Sequence, residues 1–129
     1  MSEFKEIVGK TFVEVTGDVG DDEMLFKTAE RVVYKLYHEQ DCCESVLVDD
    51  INGDLSDLIG TPIISAEEST NLDLPAQGEY DDSFTWTFYK IQTAKGHVVI
   101  RWYGTSNGYY SESVDFCKYV DDSPREKGV

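Results

Sequence analysis

The densest set of chemically competent side chains is Tyr37-His38-Glu39-Gln40-Asp41-Cys42-Cys43-Glu44, with one imidazole, two thiols and three carboxylates in eight residues. A zinc site needs four ligands at workable spacing. Cys42 and Cys43 are adjacent and point differently, so both binding one ion is awkward, although His97 and Cys117 would be candidates to complete a set. A cysteine nucleophile needs a base beside it. On an extended strand His38 and Cys42 share a face but sit about 13 Å apart. Packing is the better account of the cysteines, since a buried thiol behaves as a small hydrophobe.

Paired carboxylates recur at Asp49-Asp50, Glu67-Glu68, Asp81-Asp82 and Asp121-Asp122. Such pairs can bind a divalent cation or divide acid and base roles. Adjacent pairs at strand ends are usually solvated, and no calcium-loop motif is present. Asp54-Leu55-Ser56-Asp57 reads instead as a helix start, where anions are favoured. The expectation is an uncatalytic chain with no metal and no cofactor.

A third group is Arg101-Trp102-Tyr103-Gly104-Thr105-Ser106-Asn107-Gly108-Tyr109-Tyr110. An arginine among aromatics around a glycine-rich turn can stack a base and hold a phosphate. The Gly104–Gly108 spacing lacks the Lys and Ser/Thr of a phosphate loop. Arg101, Trp102, Tyr103, Asn107, Tyr109 and Tyr110 are the candidate ligand-binding residues on this account. The competing account places Trp102 in the core.

The elements that would carry these groups read as mostly β. Thr11–Gly17 is a strand and Asp18–Asp22 a turn. Glu23–Ala29 and Arg31–His38 are two segments that suit a pleated sheet; with only about one residue between them, one long bent strand is a further reading, and an N-terminal hairpin with a helix over Asp22–Lys35 is the alternative. Ser45–Ile51 is a strand. Residues 54–59 form a short helix capped by Asp54 and closed by Gly60. Ile63–Glu67 is a strand and Ser69–Asp82 a long polar loop. Ser83–Ala94, His97–Tyr103 and Tyr109–Tyr119 alternate as a three-stranded antiparallel meander. The predicted class is mainly β: a curved antiparallel sheet or small sandwich in one domain, with a flexible tail over 120–129.

The chain has 129 residues and a net charge of −15. Its aromatic content, 12%, argues for a packed domain rather than disorder. Direct nucleic-acid binding is disfavoured, because phosphates require clustered Lys and Arg, and so is an anionic membrane surface. No apolar run approaches the length of a bilayer span, and no signal-like segment opens the chain. The odd cysteine set suits a reducing, cytoplasmic setting. From Leu36 to Tyr89 there are thirteen acids and no Lys or Arg. Glu39, Asp41, Glu44, Asp49, Asp50, Asp54, Asp57, Glu67 and Glu68 are the acids expected to form a partner-binding face. Exposed strand edges are also compatible with a dimer.

The strings YHEQDCCESV (Tyr37–Val46), GDLSDLIGTP (Gly53–Pro62) and RWYGTSNGYYSESVDF (Arg101–Phe116) resemble a family of small uncharacterised proteins of bacteriophages and prophages. The likeness extends over about residues 31–116 and brings no catalytic residue with it. It implies a viral accessory protein in a bacterial cytoplasm. The function expected is binding and inhibition of a host protein with a basic surface, through the acidic middle. The alternative is a small-ligand binder that sequesters a nucleotide immune signal at Arg101–Tyr110.

Overall fold

A computed structural model describes residues 4–40, 43–71, 76–77, 83–108 and 111–121. Its strands are β1 (Phe12–Thr16), β2 (Glu23–Thr28), β3 (Val32–Tyr37), β4 (Ser45–Asn52), β5 (Ser65–Asn71), β6 (Ser83–Thr93), β7 (Gly96–Ser106) and β8 (Asp115–Val120). They form two four-stranded antiparallel sheets, ordered β1-β2-β3-β8 and β4-β7-β6-β5. This is the small sandwich expected of an alternating, β-branched and aromatic sequence. No helix among the described residues is long and apolar enough to cross a membrane.

One apolar core lies between the sheets. The first sheet contributes Phe12, Met24, Phe26, Tyr34 and Leu36, and the second Val46, Val48, Tyr89, Ile91, Val98, Ile100 and Trp102. A 3-10 turn at Phe4–Ile7 closes one side, with the Phe4 ring 4.7 Å from Tyr89 and 5.6 Å from Phe116. The alternation in β6 and β7 is what divides the second sheet into faces. Tyr89, Ile91, Val98, Ile100 and Trp102 point inward, while Phe84, Trp86, Phe88, Arg101 and Tyr103 share the outer face.

Three sequence expectations are corrected. Glu23–Ala29 and Arg31–His38 are two separate strands as segmented, but the readings that join them as one bent strand or fold them as a helix fail, because β2 and β3 pair as a hairpin. The turn lacks Gly or Asn at its tight position; Arg31 itself takes a left-handed φ of 69°, and its N–H donates to the Thr28 carbonyl at 3.2 Å. The C-terminal meander is a two-stranded hairpin only. After Ser106 the chain leaves the second sheet, and β8 pairs with β3 in the first, which buries Val114 and packs Phe116 on Tyr34. The polar loop begins later than Ser69, because β5 runs to Asn71 opposite Trp86.

The short helix is a 3-10 turn, Leu55–Leu58, and Asp54 caps it by accepting from the Ser56 N–H at 3.0 Å. Gly60 follows at φ +90°. At the other end of the chain, Val120 pairs with Val32 and the Asp121 N–H donates to Arg31 at 2.8 Å. The rest of the expected tail lies outside the described residues.

Candidate functional site: an acidic sheet edge

The acids of the central run do not form one continuous face. β4, with Asp49 and Asp50, and β5, with Glu67 and Glu68, are opposite edges of one sheet, separated by three strand spacings, about 14 Å. Glu39 lies beyond the end of β3, where its N–H donates to Asp115. Asp54 and Asp57 flank or lie in the 3-10 turn beyond the other end of β4. Glu68 accepts from the buried Tyr89 hydroxyl at 3.2 Å, and burial followed by the Glu68 charge pushes that hydroxyl's pKa up. An inward charge of this kind on an edge strand discourages sheet-to-sheet association. Asp41 lies outside the described residues.

Glu44 is removed from the candidate docking set. Its side chain is fully buried, and its Oε2 lies 2.6 Å from His38 Nε2. The other ring nitrogen, Nδ1, donates to the Ser113 carbonyl at 2.7 Å. Burial alone would lower the His38 pKa, but the Glu44 and Ser113 hydrogen bonds outweigh it and raise it. Both ring nitrogens are thus engaged, one by the Ser113 carbonyl and one by the Glu44 carboxylate.

What the sequence run missed is a second source of acids. The β1–β2 turn lies against the β4 edge: Gly20 N–H donates to the Val48 carbonyl at 2.8 Å, and Val48 N–H to the Asp21 carbonyl at 2.9 Å. The contact falls beside the β-bulge at Val48–Asp50, where an irregular strand edge leaves groups unpaired. Gly17 makes the turn feasible. Its φ is +130°, and a Cβ there would lie 2.2 Å from Met24 Sδ. Asp18 organises the turn by accepting from the Val19 N–H, while its own N–H donates to the Asp21 carboxylate.

Exposed Asp18, Asp21 and Asp22 therefore join exposed Asp50 along one edge. The ion pairs among the described residues are Lys27–Glu14, Lys35–Glu23, His38–Glu44, Arg101–Asp49 and Lys118–Glu6, so none reaches these four carboxylates. Among the described residues no group of His, Cys, Asp and Glu is arranged to hold a metal ion. The edge is a broad negative surface rather than a cage. The signal available in the sequence was the Asp18–Asp22 turn; its partner strand required the fold.

The aromatic candidates divide across the second sheet. Trp102 is fully buried in the core and cannot contact a surface ligand, which corrects its place among the ligand-binding residues. Strict alternation in β7 decides this, since Ile100 and Trp102 share the inward face. Arg101 and Tyr103 are outward. Arg101 Nε and Nη2 both donate to Asp49 Oδ2, at 2.8 and 2.6 Å, and its guanidinium lies 4.9 Å from the Trp86 ring centre. Tyr103 packs on the same indole, its ring 4.4 Å from Trp86, and its hydroxyl accepts from the Gln77 N–H at 2.8 Å. Gln77 also donates from its side chain to Asp49. Asn107 is exposed in the turn after β7; Tyr109 and Tyr110 lie outside the described residues. The geometry is that of an internally neutralised brace tying β4, β7 and the β5–β6 connection together.

His97 and Cys117, raised as further metal ligands, lie on β7 and β8 in different sheets. No match to the chain was found among curated proteins or among solved structures. The family comparison matches residues 5–116 to a domain of unknown function, and on that match the chain belongs to the DUF7448 family.

Proposed function

We propose that the protein is a non-enzymatic accessory protein of bacteriophage type, which binds and inhibits a basic host protein in the bacterial cytoplasm through its acidic β4 edge. The observation that carries this reading is the Asp18–Asp22 turn seated on Val48, two residues from Asp50 at one strand edge, with none of the ion pairs among the described residues reaching Asp18, Asp21, Asp22 or Asp50. A concentrated field of one sign accelerates encounter with a surface of the other sign and rejects partners of like charge. The same field opposes direct binding of nucleic acid.

A nucleotide site at Arg101 has less support, because the guanidinium is already neutralised by Asp49 and covers Trp86. The test is affinity capture from infected bacterial lysate at low and high salt, using the natural chain and a D18N/D21N/D22N/D50N variant. Asparagine retains the acceptor oxygens that hold the turn. A partner held by the natural chain at low salt, and lost both with salt and in the variant, is the expected result. Capture indifferent to salt and to the four substitutions removes the electrostatic reading.

A further inference from the structure

We propose that the cleft between the start of β1 and the β2–β3 turn is a binding site for a small zwitterion of the amino-acid class with an apolar side chain. It lies away from the β1–β2 turn that carries Asp18, Asp21 and Asp22, since β1 and β2 meet the cleft at Val13 and Thr28, toward the opposite ends of those strands. Its volume is about 440 Å³, within the range that small-molecule sites occupy.

The floor supplies the first argument. Tyr34 is 2% exposed and lines the cleft. Its ring is fixed by Phe12 and Phe116 at 6.1 and 5.9 Å, yet its hydroxyl makes no hydrogen bond with a described residue. It is not one of the sealed, unpaired polar atoms, which are Thr61 Oγ1 and Trp102 Nε1. Among the described residues the hydroxyl is therefore not sealed off, and the cleft is the open space that Tyr34 borders. The neighbouring Thr28 hydroxyl already donates to the Val32 carbonyl at 2.9 Å and accepts from the Val32 N–H at 3.2 Å. That leaves Tyr34 as the polar side chain available at depth.

The walls and rim supply the ligand class. The bulge between Phe12 and Glu14 leaves Val13 53% exposed, and Val13 and Val32 both line the cleft, giving it apolar surface. Lys10 and Glu30 flank the same opening and are not joined in an ion pair. Two opposite charges held apart across one cleft complement a ligand with a carboxylate for Lys10 and an ammonium for Glu30, its apolar body against Val13 and Val32.

The test is an amide-shift titration of the full chain with L-leucine, N-acetyl-L-leucine, which lacks the cation, and L-leucinamide, which lacks the anion. Expected are saturable shifts at Lys10, Thr11, Val13, Glu30 and Val32 with L-leucine, and binding weaker by about tenfold for either analogue, as for loss of a charged hydrogen bond. Tyr34→Phe, which keeps the ring packing, should weaken L-leucine by about two- to tenfold without moving the thermal midpoint. Absence of saturable shifts in the cleft overturns the site. Equal binding of the three compounds overturns the zwitterion assignment, and unchanged affinity in Tyr34→Phe overturns the placement.

Discussion

The backbone carbonyl of Glu112 lies 2.6 Å from the position a Cβ on Gly104 would take, so the segment leading to β8 rests directly on the bare backbone of β7. The same Cβ would meet the Glu112 Cβ at 3.0 Å and Val46 Cγ2 at 3.2 Å. The requirement is for space and not for an unusual backbone angle. Gly104→Ala should therefore cost about 1–3 kcal/mol through forced displacement. Thermal unfolding followed by circular dichroism should show a midpoint lowered by several degrees; an unchanged midpoint would refute the close contact of Glu112 with Gly104.

Glu112 is held there by hydroxyls rather than by a cation. Thr85 donates to Oε1 at 2.8 Å and Ser106 to Oε2 at 2.5 Å. Burial would raise its pKa, but hydrogen bonds from Ser106, Ser83 and Thr85 prevail and hold the carboxyl below its ordinary 4.5. A depressed folded pKa gives stability that is present above the unfolded value and lost as pH falls through the folded one. Glu112→Gln should be less stable than the natural chain at neutral pH, and the two should converge in acid. Urea unfolding at pH 7 and at stepped pH values below 4.5 reads the difference. Parallel curves throughout would refute the carboxylate's role.

The opposite limb belongs to His38. Its pKa is raised above 6.5 by Glu44 and Ser113 against the effect of burial, with Asp115 adding to the raising field. The stabilisation is therefore complete below the unfolded value and declines as pH rises through the folded one. Its side chain is 3% exposed and that of Glu44 fully buried. His38→Ala leaves that carboxylate without its cation at a cost of about 3–5 kcal/mol. The natural chain should lose stability between pH 6.5 and the alkaline range while His38→Ala does not, as measured by urea midpoints across that interval.

These pairs also mark where sequence reasoning reaches its limit. The β6–β7 hairpin was legible because its alternation is strict and Lys95-Gly96 turns it. The Asp54 cap was legible because capping is local. The β2–β3 hairpin was not, since Ala29-Glu30-Arg31 carries no turn signal and tertiary pairing holds Arg31 in the left-handed region. The crossing of β8 to the other sheet depends on Glu112 finding three hydroxyls and on His38 finding Ser113, contacts between residues far apart in the chain. The acidic character of the middle was plain from composition. That Glu44 is buried against His38, and that tertiary hydrogen bonds at Val48 bring the Asp18–Asp22 turn to the β4 edge, are contacts that composition does not show.

Arg101 separates the two surfaces experimentally. Its guanidinium is about a third exposed and Asp49 is mostly buried, so the pair is worth more than a surface bridge and less than a sealed one. Arg101→Ala should cost about 1–2 kcal/mol. Arg101→Lys should recover only part of this, because an ammonium cannot place two N–H groups on Asp49 Oδ2 while lying flat on Trp86. Both variants should shift Trp86 emission toward that of a solvated indole, read in a Trp102→Phe background. Removing this cation makes the β4 region more negative. If the acidic edge is the docking surface, Arg101→Ala should retain or strengthen salt-sensitive capture of a basic partner even as it lowers the urea midpoint. Loss of capture in a variant that remains folded would instead assign recognition to Arg101 and its aromatic neighbours.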